Sequence, residues 1–170
     1  MKKCKLCKQL NVRERNGIAV SKYCVACRKV KAEEKKAKRK LTKTYQQSQF
    51  KKLHRQAWAL ISQYVRQSAA DSFGMVHCYT CGERKHFKEL HCGHFHHNKL
   101  DFDLRNLRPQ CAHCNTYNHG NLSVYGTKLA QEYGAEGMDK LLLDSNTVIY
   151  TNEDLENIIE EYKLKLKQFD

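Results

Sequence analysis

Leu90-His91-Cys92-Gly93-His94-Phe95 is the stretch whose reading decides the fold, because of what flanks it. Cys78-x-x-Cys81 precedes it, Asn106 follows it, and Cys111-x-x-Cys114-Asn115 closes the segment. Two Cys-x-x-Cys pairs supply four thiolates, Cys78, Cys81, Cys111 and Cys114, for one tetrahedral structural zinc. Val76 to Cys81 reads as one knuckle and Leu90 to His96 as a strand. Asn106-Leu107-Arg108-Pro109-Gln110 leads into the second knuckle, and a helix follows from about Ala112. Knuckle, hairpin, knuckle and helix make a treble-clef arrangement. The segment is too poor in apolar residues to fold by burial alone. Zinc therefore carries much of its folding free energy, about 10–16 kcal/mol in zinc-finger peptides.

Upstream, Cys4-x-x-Cys7 and Cys24-x-x-Cys27 form a second quartet. Asn16-Gly17 between the pairs favours a type I′ hairpin turn that brings the two knuckles together. A closed Cys4 site is structural rather than catalytic. Cys92, the ninth cysteine, reads as a buried strand thiol and not as a ligand. From Arg28 to Ser72 there is no Gly or Pro, which permits a long helix or two. Leu53, Ala57, Leu60/Ile61 and Tyr64/Val65 recur at three- and four-residue spacing, an amphipathic stripe with Trp58 beside it. Downstream, Leu122, Tyr125, Leu129 and Tyr133 share a helical face that Gly134 stops, and Met138 to Leu143 forms a short helix. Thr151 and Asp154 are spaced as a capping box for a last helix. In that helix Leu155, Ile158, Ile159, Tyr162 and Leu166 make one stripe, to be buried against the core or against a second copy of the chain.

The expected class is a small, zinc-stabilised α+β protein. It comprises an N-terminal Cys4 zinc module (1–29), a long basic helical segment (30–72), a zinc-pinned core (73–130) and a C-terminal helical region (131–170). The formal charge of +13 is unevenly distributed: residues 1–58 hold 19 Lys and Arg against 3 Glu, while residues 59–170 are net acidic by three. A cationic arm of this density points to a polyanion, since counterion release from a phosphate backbone drives binding without sequence information. Lys31, Lys35, Lys36, Lys38, Arg39, Lys40 and Lys43 are the candidate DNA contacts. The bland alternative is a solvated face or a membrane-surface patch, and the densest lysine run lacks the apolar face the latter needs. The chain opens Met-Lys-Lys-Cys with no apolar leader or spanning segment, and its cysteines are paired at metal-binding spacing. The expectation is a cytoplasmic protein with reduced thiols and no membrane association.

Cleaving a phosphodiester needs an activated water, a Lewis acid on the phosphate, and access to the backbone. His94 can accept the water's proton as a neutral imidazole. Asn115, fixed by the zinc beside it, offers a carboxamide oxygen to Mg²⁺ or Mn²⁺. His119, four residues on and expected on the same helical face, is a candidate second ligand that shifts preference to a softer ion. Asn106 is expected to tie the loop to the strand and so to orient His94. Against this stands the plainer reading: a treble clef can serve only to bind or to fold, and His96 and His97 can simply contact DNA or solvent.

The order Cys-x-x-Cys, Gly-His94-Phe, Asn106 and Cys-x-x-Cys-Asn115 resembles the HNH, or ββα-metal, endonucleases in their cysteine-rich form. The detail is closer to the NinG/Rap recombination proteins of lambdoid phages. Leu90 to Phe95, Phe102-Asp103-x-Arg105-Asn106, Gln110-Cys111-x-x-Cys114-Asn115, and Gly120-Asn121-Leu122 with Tyr125 carry the likeness. So does an N-terminal cysteine quartet followed by a Lys/Arg-rich helical segment, and the likeness extends to about residue 143. It implies a metal-dependent endonuclease acting on branched DNA, Holliday junctions and D-loops among them, in phage recombination within the host cell. His94 would be the general base, Asn106 the loop-orienting residue and Asn115 a metal ligand. The broader HNH pattern has an Asp or His ligand before the base. Here Gly93 stands there, and His91, on the same strand face, is the expected substitute. Paired cuts at a junction would be supplied most simply by a C2 homodimer, through the C-terminal stripe or the long central helix. A zinc-stabilised DNA-binding adaptor without catalysis, and an HNH nicking enzyme without junction preference, are the alternatives.

Overall fold

A computed structural model describes residues 3–9, 14–15, 18–19, 22–97 and 99–169. The chain divides into two units, Met1–Gln49 and Phe50–Asp170. The boundary falls inside one helix, α1 (Val25–Ser68), rather than at an end of it. An uninterrupted run without Gly or Pro gives that helix nothing to stop on until Asp71 to Gly74.

In the first unit, β1 (Glu14–Arg15) pairs antiparallel with β2 (Ile18–Ala19) in the register Glu14 with Ala19 and Arg15 with Ile18. That register leaves Asn16-Gly17 as the connection; the turn type expected for this dipeptide lies outside the described residues. Cys4 and Cys24 are buried together, with Tyr23 and Cys27 packed against them. The α1 segment from Lys31 to Ser48 is exposed along its whole length, including all seven candidate DNA contacts.

The second unit is built on a hairpin of β5 (His91–His94) and β6 (Leu107–Gln110), with His91 opposite Gln110 and Gly93 opposite Arg108. Side-chain alternation gives this hairpin two working faces. One face carries Cys92 and Leu107 into a core with Ala57, Ile61 and Val65 of α1, and with Leu155, Ile159 and Tyr162 of α3 (Asn152–Leu166). The other meets α2 (Leu122–Thr147): Tyr125 Oη donates to Gly93 O (3.2 Å), and Arg108 Nη2 to Tyr133 Oη (2.6 Å). A second hairpin, β3 (Met75–His77) with β4 (Arg84–His86), carries the first knuckle. The Tyr79 amide donates to Pro109 O (2.8 Å) and ties that knuckle to β6. Among the described residues no helix is long and apolar enough to cross a membrane.

Several expectations are met in detail. Gly134 breaks α2 into two arms, with φ 68° and ψ 178°, a conformation in the glycine-favoured region. Thr151 Oγ1 accepts from the Asp154 amide and the Asp154 carboxylate accepts from the Thr151 amide, completing the capping box of α3. Cys92 is a buried strand thiol, and desolvation pushes it up to about 12. Leu155, Ile159 and Tyr162 of the α3 stripe are buried in the chain's own core, with Tyr162 packed edge-on against Tyr64 at 5.1 Å. They therefore cannot also serve as the surface for a second copy.

One expectation fails. The helix read from Ala112 through His119 is a single π-turn, His113–Tyr117, followed by a short 3-10 turn, His119–Asn121. His119, Gly120 and Asn121 all have positive φ (44°, 83° and 46°), so the chain reverses where an α-helix would continue. Asn115 and His119 do not share an α-helical face. The cause is local chemistry: Asn and Gly tolerate the left-handed region that interrupts a helix. Gln110 Nε2 then fixes the bend by donating to Gly120 O (2.8 Å).

Candidate metal and catalytic site

The eight paired cysteines converge into two quartets, Cys4/Cys7/Cys24/Cys27 and Cys78/Cys81/Cys111/Cys114, each with its sulfurs within 4.8 Å of one another. Cys7 and Cys24 Sγ are 3.8 Å apart, as are Cys81 and Cys111 Sγ. Zinc–sulfur bonds of about 2.3 Å in a tetrahedron require sulfur–sulfur edges of about 3.8 Å. Both quartets could thus hold a zinc ion, with one edge of each already at the tetrahedral length. Burial opposes ionisation of Cys4, but amide bonds from Cys24, Cys7 and Leu6 outweigh it and bring the thiol down to about 6. In the second quartet burial likewise opposes ionisation of Cys78. The Cys81 amide and the Thr80 hydroxyl lead the groups that pull it to about 6. Each quartet thereby contains one thiol whose surroundings favour the thiolate that a zinc site needs.

The second quartet positions Asn115. The Asn115 amide donates to Cys111 O (2.9 Å) at the end of the knuckle. Its Nδ2 lies 3.2 Å from His91 Nδ1, across the end of the hairpin. Cis ligands of an octahedral ion with 2.1 Å bonds lie about 3.0 Å apart, so with the carboxamide oxygen turned toward the ring this pair fits two corners of one divalent site. The donor set, one imidazole nitrogen and one amide oxygen, suits Mn²⁺ at least as well as Mg²⁺. His119 is exposed on the reversed turn beyond.

Position 93 is closed to any third ligand from the strand. A Cβ there would lie 2.0 Å from Gln110 Oε1 and 2.7 Å from its Cδ. Gln110 is fully buried, its Nε2 bonded to Thr80 Oγ1 (3.1 Å) and Gly120 O, while Oε1 has no hydrogen-bond partner. The side chain of Gln110 occupies the volume that an Asp at 93 would need. Sequence reading missed this residue, although cross-strand pairing of 91 with 110 could have placed it on that face.

His94 ends β5 on the opposite face from His91. Its ring stands edge-on to Trp58 of α1 (5.4 Å, 63°) and to His97 (4.1 Å, 61°). Nδ1 is buried without a hydrogen-bond partner. Burial pulls His94 below the ordinary imidazole value of 6.5; His97 adds to the shift and Asp101 opposes it. The ring is therefore neutral at pH 7 and able to accept a proton. The loop after it is latched by the fully buried Asn106. Asn106 Oδ1 accepts from the His96 amide (2.7 Å), and Nδ2 donates to the carbonyls of His96 (2.9 Å) and Leu100 (3.0 Å). Trp58, read from the sequence only as helix packing, is the residue that fixes the His94 ring.

No solved structure matches the chain. Among curated relatives, protein ninG of Salmonella phage P22 is 29% identical over 117 residues, 66% of this chain and 55% of the relative. Protein ninG of Escherichia phage lambda gives the same figures. Protein ninG of Enterobacteria phage H19B is 35% identical over 69 residues, 41% of this chain and 34% of the relative. The matched segments thus span about half the length of these relatives or less. The family described as bacteriophage lambda NinG protein matches residues 1–170, the full length of the sequence. The chain belongs to the NinG family.

Proposed function

We propose that this chain is a metal-dependent, structure-selective endonuclease of the HNH, or ββα-metal, type. It would hydrolyse phosphodiester bonds in branched DNA, such as four-way junctions and D-loops, in the course of phage recombination. The observation that carries the reading is His94: a neutral imidazole held by Trp58 at the end of a hairpin, beside a loop latched by Asn106. A half-buried, neutral histidine with a packed ring is what a general base for water requires. Zinc in the two quartets is structural in this reading, and the second one holds the treble-clef core.

His91 and Asn115 would hold the catalytic Mg²⁺ or Mn²⁺, which when bound supplies Lewis-acid stabilisation of charge on the phosphate. The chain's own residues do the rest. His94 takes the proton of the attacking water. Asn106 keeps the 96–100 loop from shifting that ring. The exposed cations Lys31, Lys35, Lys36, Lys38, Arg39, Lys40 and Lys43 neutralise backbone phosphates. β5 sends His91 and His94 to opposite faces, so in this reading the metal and the base would approach the scissile phosphate from the two sides of the strand. Two symmetric cuts call for two copies of the chain, and their contact must use a surface other than the α3 stripe.

The blockade of position 93 by Gln110 favours a second reading, a zinc-stabilised DNA-binding adaptor that needs no catalytic metal. Cleavage of a labelled four-way junction and its matched linear duplex, with zinc-loaded protein and Mg²⁺ or Mn²⁺, separates the two. Paired cuts near the branch, lost in His94→Ala while binding persists, are expected. Equal cutting of both substrates would leave a nicking nuclease without junction preference, and tight binding with no cutting would establish the adaptor.

A further inference from the structure

His54 and Asp101 lie 47 residues apart in sequence and meet at the edge of the same site. His54 Nε2 is 3.1 Å from Asp101 Oδ2, with the histidine side chain 34% exposed and the carboxylate 16%. The ring is held between Phe50 (6.0 Å) and Phe102 (5.0 Å, 65°). His54 is one turn before Trp58 on α1, so the two share a face with their Cβ atoms about 5–6 Å apart. Trp58 contacts His94, His94 contacts His97, and the Asp101 carboxylate acts electrostatically on His94. One face of α1 and the loop after β5 therefore bring two histidines to the same side of the hairpin: His94, packed on Trp58, and His54, oriented by a carboxylate.

We infer that His54, oriented by Asp101, is the general acid that protonates the leaving oxygen in the hydrolysis proposed above; the inference rests on that reading. A carboxylate accepting from Nε2–H fixes the ring, an arrangement that orients many catalytic histidines, and in the imidazolium form that the step requires Nδ1–H is the transferable proton. In the step, the water oxygen bonds to phosphorus as the bond from phosphorus to the bridging oxygen breaks. The water's proton passes to His94. The Nδ1 proton of His54 passes to the bridging oxygen, which leaves as a hydroxyl. His94 then returns its proton to solvent and His54 takes one up, so the enzyme is restored with no net charge change. His54 would be a catalytic residue, and Asp101 a positioning residue acting through it.

The test compares the full-length, zinc-loaded chain with His54→Ala, His54→Gln, Asp101→Asn and His94→Ala. Each is assayed on an ordinary strand and on one in which sulfur replaces the bridging leaving oxygen at the mapped cut. A thiolate leaves without protonation, so a general acid is no longer needed. His54→Ala and His54→Gln are expected to slow the ordinary strand about 10²-fold or more, within the usual range for acid–base residues, and the sulfur-bridged strand less than about threefold. Asp101→Asn should show the same selectivity with a smaller loss, and His94→Ala should slow both strands alike. His54 variants that lose both strands equally, or neither, would overturn the assignment while the endonuclease stands. A wild-type chain that cuts neither strand would overturn the endonuclease reading and this inference with it.

Discussion

Gly93→Ala is the smallest change that tests how the candidate site is closed. The new Cβ would stand 2.0 Å from Gln110 Oε1 and 3.0 Å from Cγ, far inside the roughly 3.5–4.0 Å contact distance of packed heavy atoms. Gln110 cannot yield cheaply, because it is fully buried and bonded at Nε2 to Thr80 and Gly120. Overpacking typically costs about 1–3 kcal/mol, losing one of those bonds adds about 1 kcal/mol, and removing glycine's chain entropy returns about 0.4–1 kcal/mol. The expected net loss is about 2–3 kcal/mol. In a Gln110→Ala background the obstruction is gone, and Gly93→Ala becomes neutral or stabilises by up to about 1 kcal/mol. Urea unfolding at fixed free zinc reads the difference. With slopes of about 1–3 kcal/mol/M, the single substitution lowers the midpoint by about 1–2 M. An equal cost of Gly93→Ala in both backgrounds would refute the account of why position 93 is glycine.

Native mass spectrometry should find two Zn²⁺ per chain, and Cys114→Ser should lose one of them while the N-terminal quartet keeps the other. Asn106→Ala strands the His96 amide and two carbonyls in the interior, so a loss of about 2–4 kcal/mol is expected; hydrogen exchange at the His96 amide should accelerate well beyond the global change. Any cleavage activity should have an acid limb with a midpoint below 6.5, because burial, then His97, depresses His94 in the folded chain. Removing the His97 charge by His97→Ala should move that limb upward, and an unmoved limb would exclude His94 as the titrating base. The same sign governs stability: with the folded value below the unfolded one, the contribution of neutral His94 is complete above pH 6.5 and is lost as pH falls below it.

The metal framework was legible because thiolate spacing is local: a Cys-x-x-Cys pair closes its own turn, and two pairs need only be brought together. Gly134 and the Thr151/Asp154 box were legible for the same reason. The break after Tyr117 has a local signal too, since Asn118-His119-Gly120-Asn121 is a run of left-handed-tolerant residues, but the four-residue spacing of Asn115 and His119 points the other way. What sequence could not supply are the contacts made across distance. The closure of position 93 by Gln110 depends on hairpin register, and a one-residue slip would turn that side chain to the other face. The meeting of His54 with Asp101 depends on how α1 lies along the 95–102 loop, for which neither residue carries a local signal. The burial of the α3 stripe was left open for the same reason, since an apolar stripe states that it must be covered but not by what.

The two ends of the candidate site are held by different physics. His91 and Asn115 are set by the Cys78/Cys81/Cys111/Cys114 knuckles, whose surrounding cluster of Val76, Leu90, Ala70 and Phe87 is small and is itself closed by three of the cysteines. His94 is set by Trp58 and by the larger core that α1, β5, β6 and α3 share. Zinc in the second quartet would therefore govern the His91 and Asn115 end, and apolar burial governs the His94 end. A hairpin only four residues long on each strand cannot fix both ends by its own ladder, because isolated two-stranded hairpins are marginal in water. Clamping it with zinc at one end and clasping it with helices at the other gives each functional side chain a rigid support. The Tyr125 hydroxyl, donating to both Gly93 O (3.2 Å) and Asn106 O (3.1 Å), joins the two supports at the residue between them. On this argument glycine at 93 follows from the packing: the strand is filled so closely from the Gln110 side that no side chain, and so no ligand, fits at that position.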